Sequence, residues 1–227
     1  MGGEPQDHRP GRLALRQEDD VLDVGCGVGR VAIGLTTYLT GRYEGFDVDP
    51  ELVAWCQENI SPRYPNFRFT HVNVFNGTYN PQGAPARESV FPYPDASFDL
   101  IVGFSIFTHL LPEDANHYLS ESRRVLRRGG RLLFTFFLLG PKTRATLSRG
   151  GTIADALLER YDGDFATAYE QPEALVAYRQ GYIREACERL GFEVTSIRHG
   201  NWPDWAIDQR ADCTQDVVLA SLPDRAP

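Results

Sequence analysis

Apolar strings recur along the chain, and most are followed by a stretch with helical spacing. Val21-Leu22-Asp23-Val24 predicts a short buried strand, and residues 30–39 a helix that Gly41 is placed to stop. Residues 43–48 predict a second strand. Asp49-Pro50 then supplies an N-cap and a first-turn proline for a helix through about residue 59. Residues 67–74 alternate as a third strand. The next stretch, 75–95, is dense in turn formers (Asn76-Gly77, Asn80-Pro81, Gly83, Pro85, Pro92, Pro94) and predicts a long functional loop. Residues 98–104 form a fourth apolar run. Pro112-Glu113-Asp114 opens a helix to Arg128, where Gly129-Gly130 ends it, and 131–138 reads as a fifth, fully buried strand. Residues 140–163 carry only a weak helical signal around 153–160. An amphipathic helix is expected over 172–190 with Gly191 as its cap, then a strand at 192–198, a loop at 200–212 and a last strand at 213–221.

Strands alternating with helices imply an α/β fold: a mostly parallel sheet with helices on both faces, three layers in all. Residues 1–18 are polar and read as an arm, and 19–227 as one unit with insertions at about 75–95 and 200–212. The 42% hydrophobic and 24% charged residues are ordinary for a chain with a packed core. Against 31 acidic residues stand 23 basic ones, a net charge of −8 that disfavours nucleic acid and anionic membranes as partners. The four cysteines form no CxxC pair, which fits reduced thiols in the cytoplasm. The longest apolar stretch, 132–139, falls far short of the roughly 20 residues of a membrane span. The first residues lack a signal-peptide core, and Gln6 fails the myristoylation pattern.

The candidate chemistry lies at strand ends, where open parallel sheets bind ligands. Gly25-Cys26-Gly27-Val28-Gly29 joins the first strand to the first helix, where glycines let the backbone turn sharply and approach a ligand. Asp47 ends the second strand, placed to accept both hydroxyls of a ribose. Dinucleotide sites have G-x-G-x-x-G, whereas here the spacing is G-x-G-x-G with Arg30 after it. Asp23 before the turn would repel a pyrophosphate and attract an ammonium. S-adenosylmethionine carries an ammonium and a sulfonium and no phosphate, so the electrostatics point to it.

These residues resemble the class I S-adenosylmethionine-dependent methyltransferases. Residues 21–29 are similar to the first motif of that family, 45–50 to the second, and 98–102 with 107–110 to the fourth. Residues 126–132 resemble the turn before its fifth strand. The resemblance implies a Rossmann-like, seven-stranded sheet with an antiparallel last strand. It also implies that Asp23, Gly25 and Gly27 hold the methionine end of S-adenosyl-L-methionine, with Cys26 and Val74 among the cofactor-binding residues. Asp47 would bind the ribose, Val48 would pack against the adenine, and Asn73 would stand where the family has an acidic residue for the adenine amino group. Phe104 and Ser105 would lie beneath the methionine portion.

Methyl transfer from a sulfonium is a direct displacement, so acceptor, methyl and sulfur must be aligned and water excluded. A hydroxyl acceptor gains from a nearby base, and His109 is the candidate, since imidazoles titrate near neutral pH. His71 and His199 are second-line candidates that read as structural, and His117, inside a helix three residues from Asp114, reads as a surface residue. Glu113-Asp114 fits a helix first turn, so no metal is assigned. Arg123, Arg124, Arg127 and Arg128 read as a solvated helix end. Tyr79 and Tyr93 in the first insertion, with Trp202, Trp205 and Asp208 in the second, are the candidate acceptor contacts. Aromatic faces beside carboxylates suit sugar rings, making a sugar or oligosaccharide hydroxyl the favoured acceptor; a flat aromatic metabolite, methylated on oxygen or nitrogen, suits them too. A nicotinamide-dependent oxidoreductase and a non-catalytic binding subunit remain open, as does a homodimer.

Overall fold

The computed structural model describes residues 15–77, 80–141, 143, 163–167, 172–204 and 215–224. Nine strands are hydrogen-bonded into one sheet: β1 Val21–Val24, β2 Tyr43–Asp47, β3 Phe67–His71, β4 Phe98–Gly103, β5 Leu126–Leu139, β6 Phe165–Thr167, β7 Val176–Arg179, β8 Glu193–Arg198 and β9 Asp216–Ser221. Four α-helices lying wholly within the described residues accompany them: α1 Arg30–Leu35, α2 Pro50–Asn59, α3 Pro112–Val125 and α4 Gln180–Arg189.

Side chains alternate across a strand, so neighbouring apolar residues go to opposite faces. Val21, Tyr43, Phe67, Leu100 and Val102 bury themselves with Ala32 of α1 and with Val53 and Cys56 of α2. Their neighbours Leu22, Val24, Phe46 and Ile101 pack on the other face with Ala115, Leu119 and Val125 of α3 and with Ile183 and Ala186 of α4. This is the three-layer α/β arrangement the sequence predicts.

The seven expected strands stand in the order β3-β2-β1-β4-β5-β9-β8. All are parallel except β9, which runs antiparallel to β5 over Arg131–Phe136 and to β8. Two further strands exceed the expected seven. β7 adds in parallel to the last residues of β5 (Phe137, Leu138, Leu139), and β6 pairs antiparallel with β7. The expected helix over 172–190 therefore divides into a 3-10 turn at Pro172–Ala174, then β7, then α4. Val176, Ala177 and Tyr178 are consecutive and each is fully buried; burial on both sides suits a covered strand, whereas a helix would leave one flank in water. α3 also ends three residues early, because Leu126 swings into extended backbone and pairs with Phe98. The weak helical signal at 153–160 lies outside the described residues.

The expected insertion at 75–95 is not loose throughout. Over 87–95 it is fastened along one stripe of α3, at positions three and four residues apart. Asp114 Oδ1 accepts from the Arg87 N–H (2.9 Å), and His117 Nε2 donates to the Ser89 carbonyl (2.5 Å). Glu121 Oε2 accepts from the Phe91 N–H (2.8 Å), and Arg124 donates to the carbonyls of Phe91 and Tyr93 and to Asp95. Arg127 bridges Asp20 and Asp99, and Arg123 donates to the Leu190 carbonyl. These arginines are structural fasteners and not a solvated helix end.

Candidate active site

β1 lies between β2 and β4, the point from which strand order runs in opposite directions. At the carboxyl ends of these strands lies a cavity of about 470 Å³. Asp23, Gly25, Cys26, Gly27, Asp47, Val48, Val74, Phe104, Ser105 and His109 all line it.

The glycine turn is folded over β2. The N–H groups of Gly25 and Cys26 both donate to the Phe46 carbonyl, at 2.9 and 3.0 Å. Gly25 has φ +74°, and a Cβ there would come within 1.9 Å of Ile106 Cδ1, so both backbone and space demand glycine. Asp47 Oδ2 accepts from the Gly27 N–H (2.7 Å) and Oδ1 from the Asp49 N–H (3.0 Å), while Asp49 caps α2. The carboxylate is thereby oriented, and each oxygen keeps lone-pair capacity for a further donor. Asp23 is 2% exposed, and one of its oxygens accepts from the Tyr43 hydroxyl. No donor among the described residues reaches the other oxygen. Burial, reinforced by Asp47, pushes its pKa up to about 7 against the pull of Tyr43 and Arg30. A buried carboxyl on a cavity wall is most readily ionised by a cation arriving there.

At the tip of β4, Ser105 is held with φ 60°, a left-handed backbone uncommon for a residue with a side chain. A closed ring of hydrogen bonds fixes it. Its N–H donates to Thr135 Oγ1 (2.8 Å), Thr135 donates to Gln215 Oε1 (2.5 Å), and Gln215 Nε2 donates back to Ser105 Oγ (2.9 Å). Val28, Phe75 and Phe104 give the mouth an apolar rim that remains about 40% exposed, with values of 41%, 39% and 39%.

Residues 108–110 are stitched to the segment around β7. The Val176 N–H donates to the Thr108 carbonyl (2.8 Å), the Tyr178 hydroxyl to the Leu110 carbonyl, and His109 Nδ1 to the Glu173 carbonyl (2.9 Å). A carbonyl only accepts, so Nδ1 carries a proton, and in the neutral imidazole Nε2 is then the acceptor. His109 also borders a second cavity of about 250 Å³, together with Phe75, Ala86, Leu111 and Glu173.

Other expected residues are elsewhere. Asn73 is exposed, and its Oδ1 accepts from Asn80 (3.1 Å) instead of lining the cavity. Tyr93 packs edge-on against Phe98 at 5.1 Å and near Phe46. Trp202 is fully buried against Phe137 and donates to Asp216 (2.6 Å), as a core anchor. Tyr79, Trp205 and Asp208 lie outside the described residues. His71 is exposed, and His199 pairs with Asp216 (3.1 Å). Among the described residues no group of three or more His, Cys, Asp or Glu could hold a metal ion.

The sequence reading omitted Leu52, Phe75, Asn76, Ile106, Leu110 and Tyr118, all lining the main cavity. Leu52 could have been found, since it follows the Asp49 cap by three residues and so lies in the first turn of α2. Tyr118 carries no such signal: it reaches the cavity from a helix whose apolar stripe looks like ordinary core.

Comparison with known proteins fits this geometry. The family model described as a methyltransferase domain matches residues 22–134. The 27-O-demethylrifamycin SV methyltransferase of Amycolatopsis mediterranei is 30% identical over 205 residues, covering 85% of this chain and 70% of that protein. A SAM-dependent methyltransferase from Methanosarcina mazei superposes with a TM-score of 0.62 at 19% identity, over 92% of this chain and 95% of that one. The Burkholderia thailandensis 1,6-didemethyltoxoflavin-N1-methyltransferase, solved with its acceptor and S-adenosylhomocysteine, gives 0.58 at 17% identity, over 92% and 72%. At those identities the two structures speak for the fold alone.

Proposed function

The chain belongs to the S-adenosylmethionine-dependent methyltransferase family, and we propose that it transfers the methyl group to a hydroxyl of a small molecule with His109 as general base. The observation that carries this reading is the placement of His109. It borders both the main cavity and the second one, with Nδ1–H tied to Glu173 and the Nε2 lone pair available.

The main cavity fits the cofactor. The one-partner carboxyl of Asp23 suits an ammonium, the half-satisfied Asp47 suits ribose hydroxyls, and Val48, Leu52 and Val74 offer apolar faces to a base. S-adenosylmethionine, when bound, supplies an electrophilic methyl group on sulfur. The protein's own tasks are to hold the acceptor in line, to exclude water with Phe75, Phe104 and Ile106, and to take the hydroxyl proton at His109 Nε2. No bond of the reaction requires a phosphate, in keeping with two carboxylates at the glycine turn.

A sugar acceptor was favoured on aromatic platforms, and two of them, Tyr93 and Trp202, are engaged in the core. The walls around His109 are more apolar than polar, with Phe75, Pro85, Ala86, Leu110 and Leu111 beside Asn76, Arg87, Asp114 and Glu173. That favours the second reading, an aromatic or other flat metabolite. The relative named above, the 27-O-demethylrifamycin SV methyltransferase, supports a small-molecule acceptor. The test combines S-adenosylmethionine with a panel of phenols, alcohols and sugars, read by mass spectrometry for the gain of one methyl group. Calorimetry accompanies it: Asp47→Ala is expected to weaken cofactor binding about 100-fold, as loss of charge-assisted hydrogen bonds would. Undiminished binding in that variant would overturn the site.

A further inference from the structure

The second cavity does not end at Leu111. Arg87, Leu111 and Asp114 also border a third cavity of about 510 Å³, which among the described residues is lined further by Pro112, Glu113, Phe165, Thr167 and Pro172. The second cavity shares Phe75, Asn76, His109 and Leu110 with the cofactor cavity and Arg87, Leu111 and Asp114 with the outer groove, so the three spaces adjoin in that order. Phe165 and Thr167 come from β6, so the outer wall is made by the hairpin that exceeds the seven-strand frame. Among the described lining residues of this groove Arg87, Glu113 and Asp114 are charged, while Leu111, Pro112, Phe165 and Pro172 present hydrocarbon.

Resting on the reading above, we propose that the outer groove is part of the acceptor site, and that the acceptor is a hydroxylated molecule with an extended, largely apolar body. Its reactive hydroxyl lies at His109, and its polycyclic or macrocyclic framework runs past Leu111 onto Phe165 and Pro172. The space beside His109 alone, about 250 Å³, is smaller than the sites that usually enclose a whole ligand. With the groove, the site reaches the roughly 300–1,000 Å³ usual for sites that enclose a whole ligand. A free monosaccharide would leave these apolar walls wet, while a multi-ring body would cover them.

The test uses protein saturated with S-adenosylhomocysteine and three probes: methyl glucopyranoside, catechol and estradiol, a four-ring molecule with hydroxyls at both ends. Calorimetry is expected to rank estradiol tightest by at least about tenfold, the effect of burying a few more apolar groups. Phe165→Glu should remove that advantage while S-adenosylhomocysteine affinity is retained. Pro172→Glu, a milder change at a half-buried turn, should reduce it in the same direction and serves if the first variant does not fold. Absence of estradiol binding, equal affinities for catechol and estradiol, or an advantage that survives both changes would overturn the proposal. Failure of the wild type to bind S-adenosylhomocysteine would instead strike the underlying reading of the main cavity.

Discussion

The two sides of the cavity are built in opposite ways. The side formed by the tips of β1 and β2 is local: Asp23, the glycine turn and Asp47 lie within 25 residues, and backbone hydrogen bonds across two adjacent strands fix them. The side around His109 is assembled from distance. Its ring is held by Glu173, its neighbours Thr108 and Leu110 by Val176 and Tyr178, and the walls beyond it include Phe75, Ala86, Arg87, Phe165 and Pro172. A group common to all acceptors can be gripped by a short, rigid stretch. A variable partner is better met by segments that can change without disturbing the sheet.

Substitutions can test that division. The largest effect is expected for His109→Ala, with turnover reduced roughly 10²- to 10⁴-fold while calorimetry gives cofactor affinity near wild type. Unchanged turnover would remove the base from the acceptor side. Gly25→Ala should affect the other side. The left-handed backbone and the overlap with Ile106 should cost about 1–3 kcal/mol of stability, read by denaturant unfolding, and cofactor affinity should fall with it.

The pH dependence sharpens the comparison further. Asp23 binds its proton more tightly folded than unfolded, so its stabilising contribution is complete below pH 3.8 and is lost as pH rises to about 7. Cofactor binding should show the opposite sense, because an ammonium prefers the ionised carboxylate. Affinity is expected to weaken as pH falls below about 7, approaching tenfold per pH unit. Tyr43 pulls the Asp23 pKa down, so Tyr43→Phe should move the midpoint upward. A flat affinity profile would deny Asp23 its part. The smallest effect is expected for Glu121→Ala, which frees the Phe91 N–H and loosens 87–95 at a cost of about 1–3 kcal/mol, with cofactor affinity retained.

The same division explains what the sequence could tell. The seven-strand frame was legible because each strand is an apolar run bounded by turn residues, and the glycine turn with its two aspartates because its residues are close together in the chain. The β6–β7 hairpin was not legible: Val176-Ala177-Tyr178 followed by Arg179 to Leu190 satisfies a helical pattern, and only the open edge of β5 makes a strand the better answer. Tyr93 and Trp202 misled because an aromatic residue in a loop looks the same whether it faces a ligand or anchors its loop. Asn73 misled through position: it follows β3 as expected, but the bond with Asn80 turns it outward and leaves Val74 and Asn76 at the cavity.

The far edge of β5 is shared. β9 occupies it over six residues, and the hairpin takes only the last three. The hairpin is therefore a graft on a finished trunk, one that a designer could exchange for another loop of similar reach. Because Glu173 and Val176 also steady the residues around His109, such an exchange would move that imidazole as well. Retargeting this scaffold therefore means transplanting the carbonyl that orients the imidazole along with the new wall.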